Sequence, residues 1–371
     1  MVTAIAAVPV NALSRAVAAQ REELHATAAR VIDSGWFVLG PETEAFEQEF
    51  AASLGVGHCV GVGNGTDALE VALVAVGVSA ASTVATVANA GMYATSAILK
   101  IGAKPLFVDV DAQDLLMTAA SLRAAVEGHP GPVAAVVVTH LFGQLADVAP
   151  LLALCRSIGA ALIEDCAQAA GARRDGRLAG SLATIGTYSF YPTKNLAALG
   201  DGGAVVTDDP GLADRVRRLR QYGWDRKYHA VTAGGRNTRL DEIQAAVLRL
   251  RLPQLAADNA VRRSIVARYA ASVPAGRRFV LSALDESFSA HLAVLSTPAR
   301  AADRAHLESA GVATDVHYPI PDHRQPALAL SDPPSLPVTE AAAEQVLTLP
   351  CFPQLRDDEI ERVCAALRTM P

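Results

Sequence analysis

Apolar side chains recur at helical intervals over residues 11–35 and predict one amphipathic helix ending near Gly35. Residues Pro41–Leu54 predict a second helix, with Glu42, Glu44 and Glu47 on its wet face. Strand-like and helix-like segments then alternate. Residues 66–76 carry Leu69, Leu73 and Val76 at helical spacing, and 148–158 also read as helix. Continuous apolar stretches at 133–139 and 160–163 predict buried strands, the second closing on Glu164-Asp165. Residues 105–110 predict another strand, followed by Asp111, while 185–190 and 203–207 read as strands of opposite-edge character. Residues 238–252 predict a long helix capped by Thr238, with Asp241 three positions on. Buried strands separated by helices imply an α/β fold with a mostly parallel sheet covered on both faces.

Residues 71–99 contain no charged side chain and invite comparison with a membrane span. Gly77, Asn89, Gly91 and scattered Ser and Thr interrupt the run, and Lys100 with another strand pattern follows it. A buried helix, a short strand and a second helix fit better. After Pro253 the motifs weaken and prolines gather at 319, 321, 326, 333, 334 and 337. The chain therefore divides into a large domain over 1–252, N-terminal helix included, and a smaller C-terminal α+β domain over 253–371.

With 371 residues and 51% hydrophobic content, the chain can fill two cores. A net charge of -6 and the lack of any basic run argue against nucleic acid as a partner. The first residues, Met-Val-Thr-Ala-Ile-Ala-Ala-Val-Pro, lack the basic start of a secretory signal, so a cytoplasmic protein is expected, with no membrane association. The five cysteines show no paired metal spacing and suit reduced, buried thiols, with Cys166 a packing residue. His317 and His323 stand six apart without a Cys or acidic ligand set, so no metal is expected there.

Chemistry concentrates around one lysine. There are four in the chain, at 100, 104, 194 and 227, and arginine supplies the remaining fixed positive charge. Lys194 lies in Ser189-Phe190-Tyr191-Pro192-Thr193-Lys194-Asn195, between a strand-like stretch and a Gly-rich turn. An amine, unlike a guanidinium, can lose its proton near neutral pH and form a Schiff base. Asp165 closes an apolar strand, and an acid at a strand's carboxyl end stands where α/β folds bind ligands. Lys and Asp together are the minimal kit for pyridoxal phosphate (PLP), the Asp pairing with the pyridinium nitrogen. Gln168 lies one helical turn from Asp165 and can reach the same ligand. Gly63-Asn64-Gly65-Thr66-Asp67 feeds a helix, which makes either a phosphate site or a loop with a Thr cap. Ser189 can donate to a phosphate or bond to backbone. Arg239, Asp241 and Glu242 offer either substrate contacts or surface ion pairs.

Taken together, these segments resemble the nucleotide-sugar aminotransferase family of the DegT/DnrJ/StrS type. The resemblance is carried by Leu39-Gly40-Pro41-Glu42, Gly65-Thr66-Asp67-Ala68-Leu69, Glu164-Asp165-Cys166-Ala167-Gln168, the Lys194 segment, Gly200-Asp201-Gly202-Gly203-Ala204, Arg239-Leu240-Asp241-Glu242 and His317-Tyr318-Pro319. It implies a PLP-dependent enzyme of fold type I, working as a homodimer with shared active sites. By that resemblance Lys194 holds the cofactor and shuttles the proton, Asp165 pairs with the ring nitrogen, and Gln168 contacts the phenolic oxygen. Gly65, Thr66 and Ser189 hold the phosphate together with the partner subunit's Asn237. His317, Tyr318 and His323 border the sugar-nucleotide cleft. The chain departs from many relatives over 79–93, where Asn89-Ala90-Gly91-Met92-Tyr93 makes Tyr93 the first candidate to cover the cofactor ring and Met92 the second. The expected reaction moves an amino group from L-glutamate to a nucleotide-linked keto sugar. Residues 221–228 and 234–242 look like the branch acting on thymidine diphosphate (dTDP) 3-keto-6-deoxyhexoses, with Tyr228 and Arg239 as substrate contacts. The alternatives are amination at C4 and a PLP-dependent sugar dehydratase, whose members have His where this chain has Lys194.

Overall fold

The computed structural model describes residues 7–371. Its strands are β1 (His58–Val62), β2 (Thr83–Val87), β3 (Lys104–Val108), β4 (Val133–Thr139), β5 (Ala161–Asp165), β6 (Arg173–Arg174), β7 (Arg177–Leu178), β8 (Ile185–Ser189), β9 (Gly203–Thr207), β10 (Trp224–Arg226), β11 (His229–Ala230), β12 (Arg278–Phe279), β13 (Ala293–Ser296) and β14 (Val346–Leu349). The α-helices are α1 (Leu13–Ala19), α2 (Arg21–Ser34), α3 (Pro41–Leu54), α4 (Gly65–Ala75), α5 (Tyr93–Lys100), α6 (Ala119–Glu127), α7 (Val148–Ile158), α8 (Pro210–Leu219), α9 (Glu242–Arg251), α10 (Leu255–Ala270), α11 (Arg300–Ser309), α12 (Pro337–Gln345) and α13 (Asp357–Arg368).

A seven-stranded sheet runs in the order β1-β9-β8-β5-β4-β2-β3. Its pairs from β8 through β5, β4 and β2 to β3 are parallel, and β9 runs antiparallel to both of its neighbours. The pleat sends successive residues to opposite faces. Val137 and Ile163 pack with α4 and α5 on one side. Val136, Val138 and Leu162 pack with α6 and α7 on the other. This double burial explains why β4 and β5 read as unbroken apolar runs. The uncharged stretch 71–99 folds as the end of α4, then β2, then most of α5, with the two helices packed on one face of the sheet. No helix among the described residues is long and apolar enough to cross a membrane.

Three sequence expectations are corrected. Residues 11–35 form two helices, α1 and α2, broken at Gln20. Arg15 on α1 bonds Glu359 of α13, whereas α2 packs on α9, so the two halves serve different neighbours. β8 and β9 are both interior strands paired to each other, the sheet edges being β1 and β3. The helix expected from 238 begins at Glu242, because Thr238 Oγ1 accepts instead from the Gly63 amide at 2.9 Å.

The antiparallel sheet β12-β13-β14 has its own core with α10, α11 and α13, built from residues such as Ile265, Leu295, Leu307, Leu347 and Val363. Val8 joins this core and bridges Val312, so the described start of the chain lies against the C-terminal unit.

Candidate active site

The carboxyl ends of β1, β2, β4, β5 and β8 open on one cleft of about 580 Å3, where the sheet topology leaves room for a ligand. Thr139 ends β4, Asp165 ends β5 and Ser189 ends β8, and all three line it. Gly65 and Thr66 open α4 at the mouth of β1. Asn64, not Thr66, caps that helix, accepting from the Asp67 amide at 2.8 Å. Unspent amides at the helix start, backed by its dipole, suit a phosphate. A side chain at Gly65 would put its Cβ 2.5 Å from the Ser189 Cβ, so the floor of this cradle is backbone lying directly against Ser189.

Lys194 follows β8 in a tight turn, its amide donating to the Tyr191 carbonyl at 2.8 Å. Burial lowers its pKa from 10.5 to about 8, with the charge of Asp165 pulling the other way. Asp165 is 5% exposed. Its Oδ1 accepts from the Ala167 amide at 3.1 Å and its Oδ2 from Thr139 Oγ1 at 3.3 Å. Burial raises the Asp165 pKa, and the Ala167 amide and the Lys194 charge oppose that shift. A carboxylate in such a site gains most from a cationic partner, which a ring N–H supplies. The observed cradle, amine and acid therefore fit PLP.

Gln168 lies in a turn after β5, not one helical turn along a helix. Its Oε1 accepts from the Phe142 amide at 2.5 Å and its Nε2 donates to Tyr318 Oη at 3.1 Å. Tyr318 and Tyr93 meet edge to face at 6.2 Å, and both line the cleft. Tyr93 opens α5 after a turn held by Asp322, whose carboxylate accepts from the Met92 amide at 2.9 Å and Thr95 Oγ1 at 2.5 Å. Burial raises Asp322 to about 6. Met92 is not among the cleft residues. His317 lines the cleft, with Nδ1 2.9 Å from Thr348 Oγ1.

Four expected site residues stand outside this protomer's cleft. His323 is 2% exposed and bonded to Glu340 at 2.9 Å behind α12, so it borders no solvent-filled space. Asn237 is exposed on the loop before α9. Tyr228 is 79% exposed at the turn of the β10-β11 hairpin, edge to face with Trp224. Arg239 is half-buried on the Asn237 loop and does not reach the cleft. Among the described residues Asp241 and Glu242 form no ion pair: Glu242 is buried and caps α3, accepting from the amides of Gly40, Glu42 and Thr43.

Sequence reasoning missed His291, Asp201 and Asp315 in the cleft. His291 precedes an apolar strand, and nothing local ties it to Lys194. It also missed a buried hub behind Asp165. Glu164 accepts from the amides of Gly180, Leu182 and Ala183 and from His140 Nε2, while His140 Nδ1 accepts from the Ala146 amide. Cys166 lies close to both. Hydrogen bonds already use the imidazole nitrogens and both carboxylate oxygens, so the hub braces β4 and β5 beneath the site.

The sequence model of the DegT/DnrJ/EryC1/StrS aminotransferase family matches residues 18–368. The erythromycin biosynthesis sensory transduction protein EryC1 of Saccharopolyspora erythraea is 41% identical over 368 residues, 97% of this chain and 99% of that protein. The dTDP-3-amino-3,4,6-trideoxy-alpha-D-glucose transaminase of Micromonospora megalomicea is 40% identical, covering 94% of this chain and 95% of its own. The crystal structure of DesV from S. venezuelae in complex with a ketimine intermediate superposes with a TM-score of 0.94 at 40% identity, covering 98% of each chain.

Proposed function

This chain belongs to the DegT/DnrJ/EryC1/StrS aminotransferase family and is a PLP-dependent aminotransferase; from that premise we propose that it aminates C3 of a dTDP-linked 3-keto-6-deoxyhexose. L-glutamate is the amino donor and the product is a dTDP-3-amino-3,6-dideoxyhexose. The observation that carries the reading is the convergence of Lys194, Asp165 and the Gly65–Ser189 cradle on one cleft. The likeness to a dTDP-3-amino-sugar transaminase supports the nucleotide and the position.

The cofactor, when bound, supplies an electron sink for the carbon that loses and regains a proton. Lys194 holds it and, once released, carries that proton at Nζ, a role its lowered pKa suits. Asp165 keeps the ring nitrogen protonated. Gln168 and Tyr318 form a hydrogen-bonded pair lining the cleft, and Gln168 would contact the phenolic oxygen. Tyr93, lining the cleft from α5, would cover the ring. Gly65, Thr66 and Ser189 take the phosphate. Among the described residues no arginine lines the cleft of one protomer, which supports a partner subunit completing it for an anionic substrate. The partner subunit's Asn237, the partner subunit's Tyr228 and the partner subunit's Arg239 are the groups proposed to do so, the guanidinium meeting a carboxylate or diphosphate. His317 borders the sugar from within the protomer, and His323 supports that wall through Glu340. Buried free thiols suit a homodimer working in a reducing cytoplasm.

The test offers dTDP-linked 3-keto and 4-keto 6-deoxyglucose separately, with glutamate, and locates nitrogen in the product by NMR. Amination at C3 is expected. Efficient turnover of the 4-keto sugar alone would move the reaction to C4 and leave the transaminase assignment standing.

A further inference from the structure

A chain of amide side chains behind Lys194 has only one consistent direction. The Ala170 carbonyl can only accept, so the Asn259 group 2.9 Å away is its Nδ2. Asn259 Oδ1 is therefore an acceptor, and Asn195 Nδ2 donates to it at 2.7 Å. Asn195 Nδ2 also donates to the Ser289 carbonyl at 2.9 Å, which uses both amide hydrogens. What remains toward His291 is Asn195 Oδ1, 2.9 Å from His291 Nδ1. An amide oxygen has no proton to give, so Nδ1 carries the imidazole hydrogen. The backbone is pinned as well, since Arg262 Nη1 donates to the carbonyls of His291 at 3.5 Å and Cys351 at 2.7 Å.

The second proton is excluded. His291 is 6% exposed, and its pKa is driven well below normal by burial and then by the charges of Lys194, Arg262 and His317. An imidazole that is neutral and protonated at Nδ1 leaves Nε2 bare. Among the described residues Nε2 has no hydrogen-bond partner, although His291 lines the cleft. Lys194 lines the same cleft, and its Nζ likewise has no hydrogen bond or ion pair among the described residues. An acceptor open to the cleft without a donor and an amine without an acceptor therefore share one space.

We infer that His291 Nε2 accepts a hydrogen bond from the Lys194 amine whenever that amine is not attached to the cofactor, which makes His291 a positioning residue for Lys194. The acceptor holds one N–H and leaves the rest of the amine to carry a proton to and from substrate. The fixed tautomer matters, because an Nε2–H would face the amine hydrogens as a second donor and an imidazolium would repel the ammonium. The inference rests on Lys194 being the cofactor lysine.

The test uses the full chain with the cofactor removed. In protein with 15N-labelled imidazoles, the His291 signals, identified by their loss in His291→Leu, should report Nδ1–H and a bare Nε2 from pH 6 to 9. An Nε2–H tautomer or an imidazolium at pH 7 overturns the inference, with the signals assigned through His291→Gln should His291→Leu not fold. Acylation of Lys194, followed against pH by peptide mass spectrometry, should show a midpoint about one unit lower in His291→Leu, since a hydrogen bond to the charged amine is lost. An unmoved midpoint in folded His291→Leu also overturns it. Failure of the underlying reading looks different: borohydride would then fix no pyridoxyl group on Lys194 of the holoenzyme.

Discussion

At Lys194, burial and a neighbouring carboxylate pull in opposite directions, and burial wins, leaving the amine at about 8. Near neutral pH a useful fraction is thus uncharged and nucleophilic. Asp165→Asn removes the opposing charge, so the Lys194 midpoint in cofactor-free protein should fall below about 8. The same variant should fold yet transaminate poorly at saturating cofactor, because an amide cannot hold the ring proton. Wild-type rates in Asp165→Asn would remove Asp165 from the mechanism. Lys194→Ala should lose turnover by at least ~10²–10⁴-fold. It should not lose stability at pH 7. The folded pKa lies below the ordinary 10.5, so the fold disfavours the ammonium, fully below about 8 and progressively less as pH rises from there to 10.5. Melting curves should show Lys194→Ala at least as stable as wild type at pH 7, with the gap closing toward pH 10.5.

The start of α4 tests the elements in the same way. A methyl at Gly65 would sit 2.5 Å from the Ser189 Cβ, between two backbones that cannot both retreat. Gly65→Ala should keep the fold but hold PLP roughly 10–100-fold more weakly, the size of an overpacking penalty. Equilibrium dialysis followed by cofactor absorbance measures this, and unchanged retention would remove the cradle. Elements of this kind were legible where their signals are local. Residues 133–139, 148–158 and 203–207 match β4, α7 and β9 to the residue because each is a buried run or a clean helical repeat. The errors fall where distant contacts decide. Gln20, at the break between α1 and α2, is bonded to Gln254 and Arg251, more than two hundred residues away. Thr238 and Glu242 were read as part of one helix start, but one turns to Gly63 and the other caps α3. Of the cleft-lining residues, Lys194 and Asp165 are legible through their chemistry beside strand ends, and Gln168 through its closeness to Asp165 in sequence. His291 did not, because its role depends on Asn195 and Asn259, which no periodicity connects to it.

On the scale of the whole molecule, one face looks unfinished. Phe37 and Leu199 are 55% and 45% exposed, and both are tied to the start of α9, Phe37 through the Glu242 amide and Leu199 through Gln244. Trp36 is 57% exposed beside them, and Tyr222 and Tyr228 are exposed on the neighbouring loop and hairpin. Exposed apolar side chains on these elements suit an interaction surface. Asn237 is exposed, pairs with Gln221 beside Tyr222, and does not line its own cleft. Its loop is firmly anchored: the Thr238 amide donates to the Arg220 carbonyl at 3.0 Å, and Arg236 pairs with buried Glu70 of α4. A second copy seated on this face would cover the aromatics and receive Asn237 at its phosphate cradle. Lys194→Ala and an Asn237→Ala, Tyr228→Ala double variant should then each be nearly inactive alone. After subunit exchange, one site of each hybrid dimer combines an intact Lys194 with an intact partner loop and the other carries every lesion. An equal mixture exchanges to about half hybrids by random pairing, so activity should recover toward one quarter of wild type. Gel filtration with light scattering should show a dimer throughout. Native mass spectrometry that finds hybrid dimers without recovered activity, or a monomer with full activity, would place each site within a single chain.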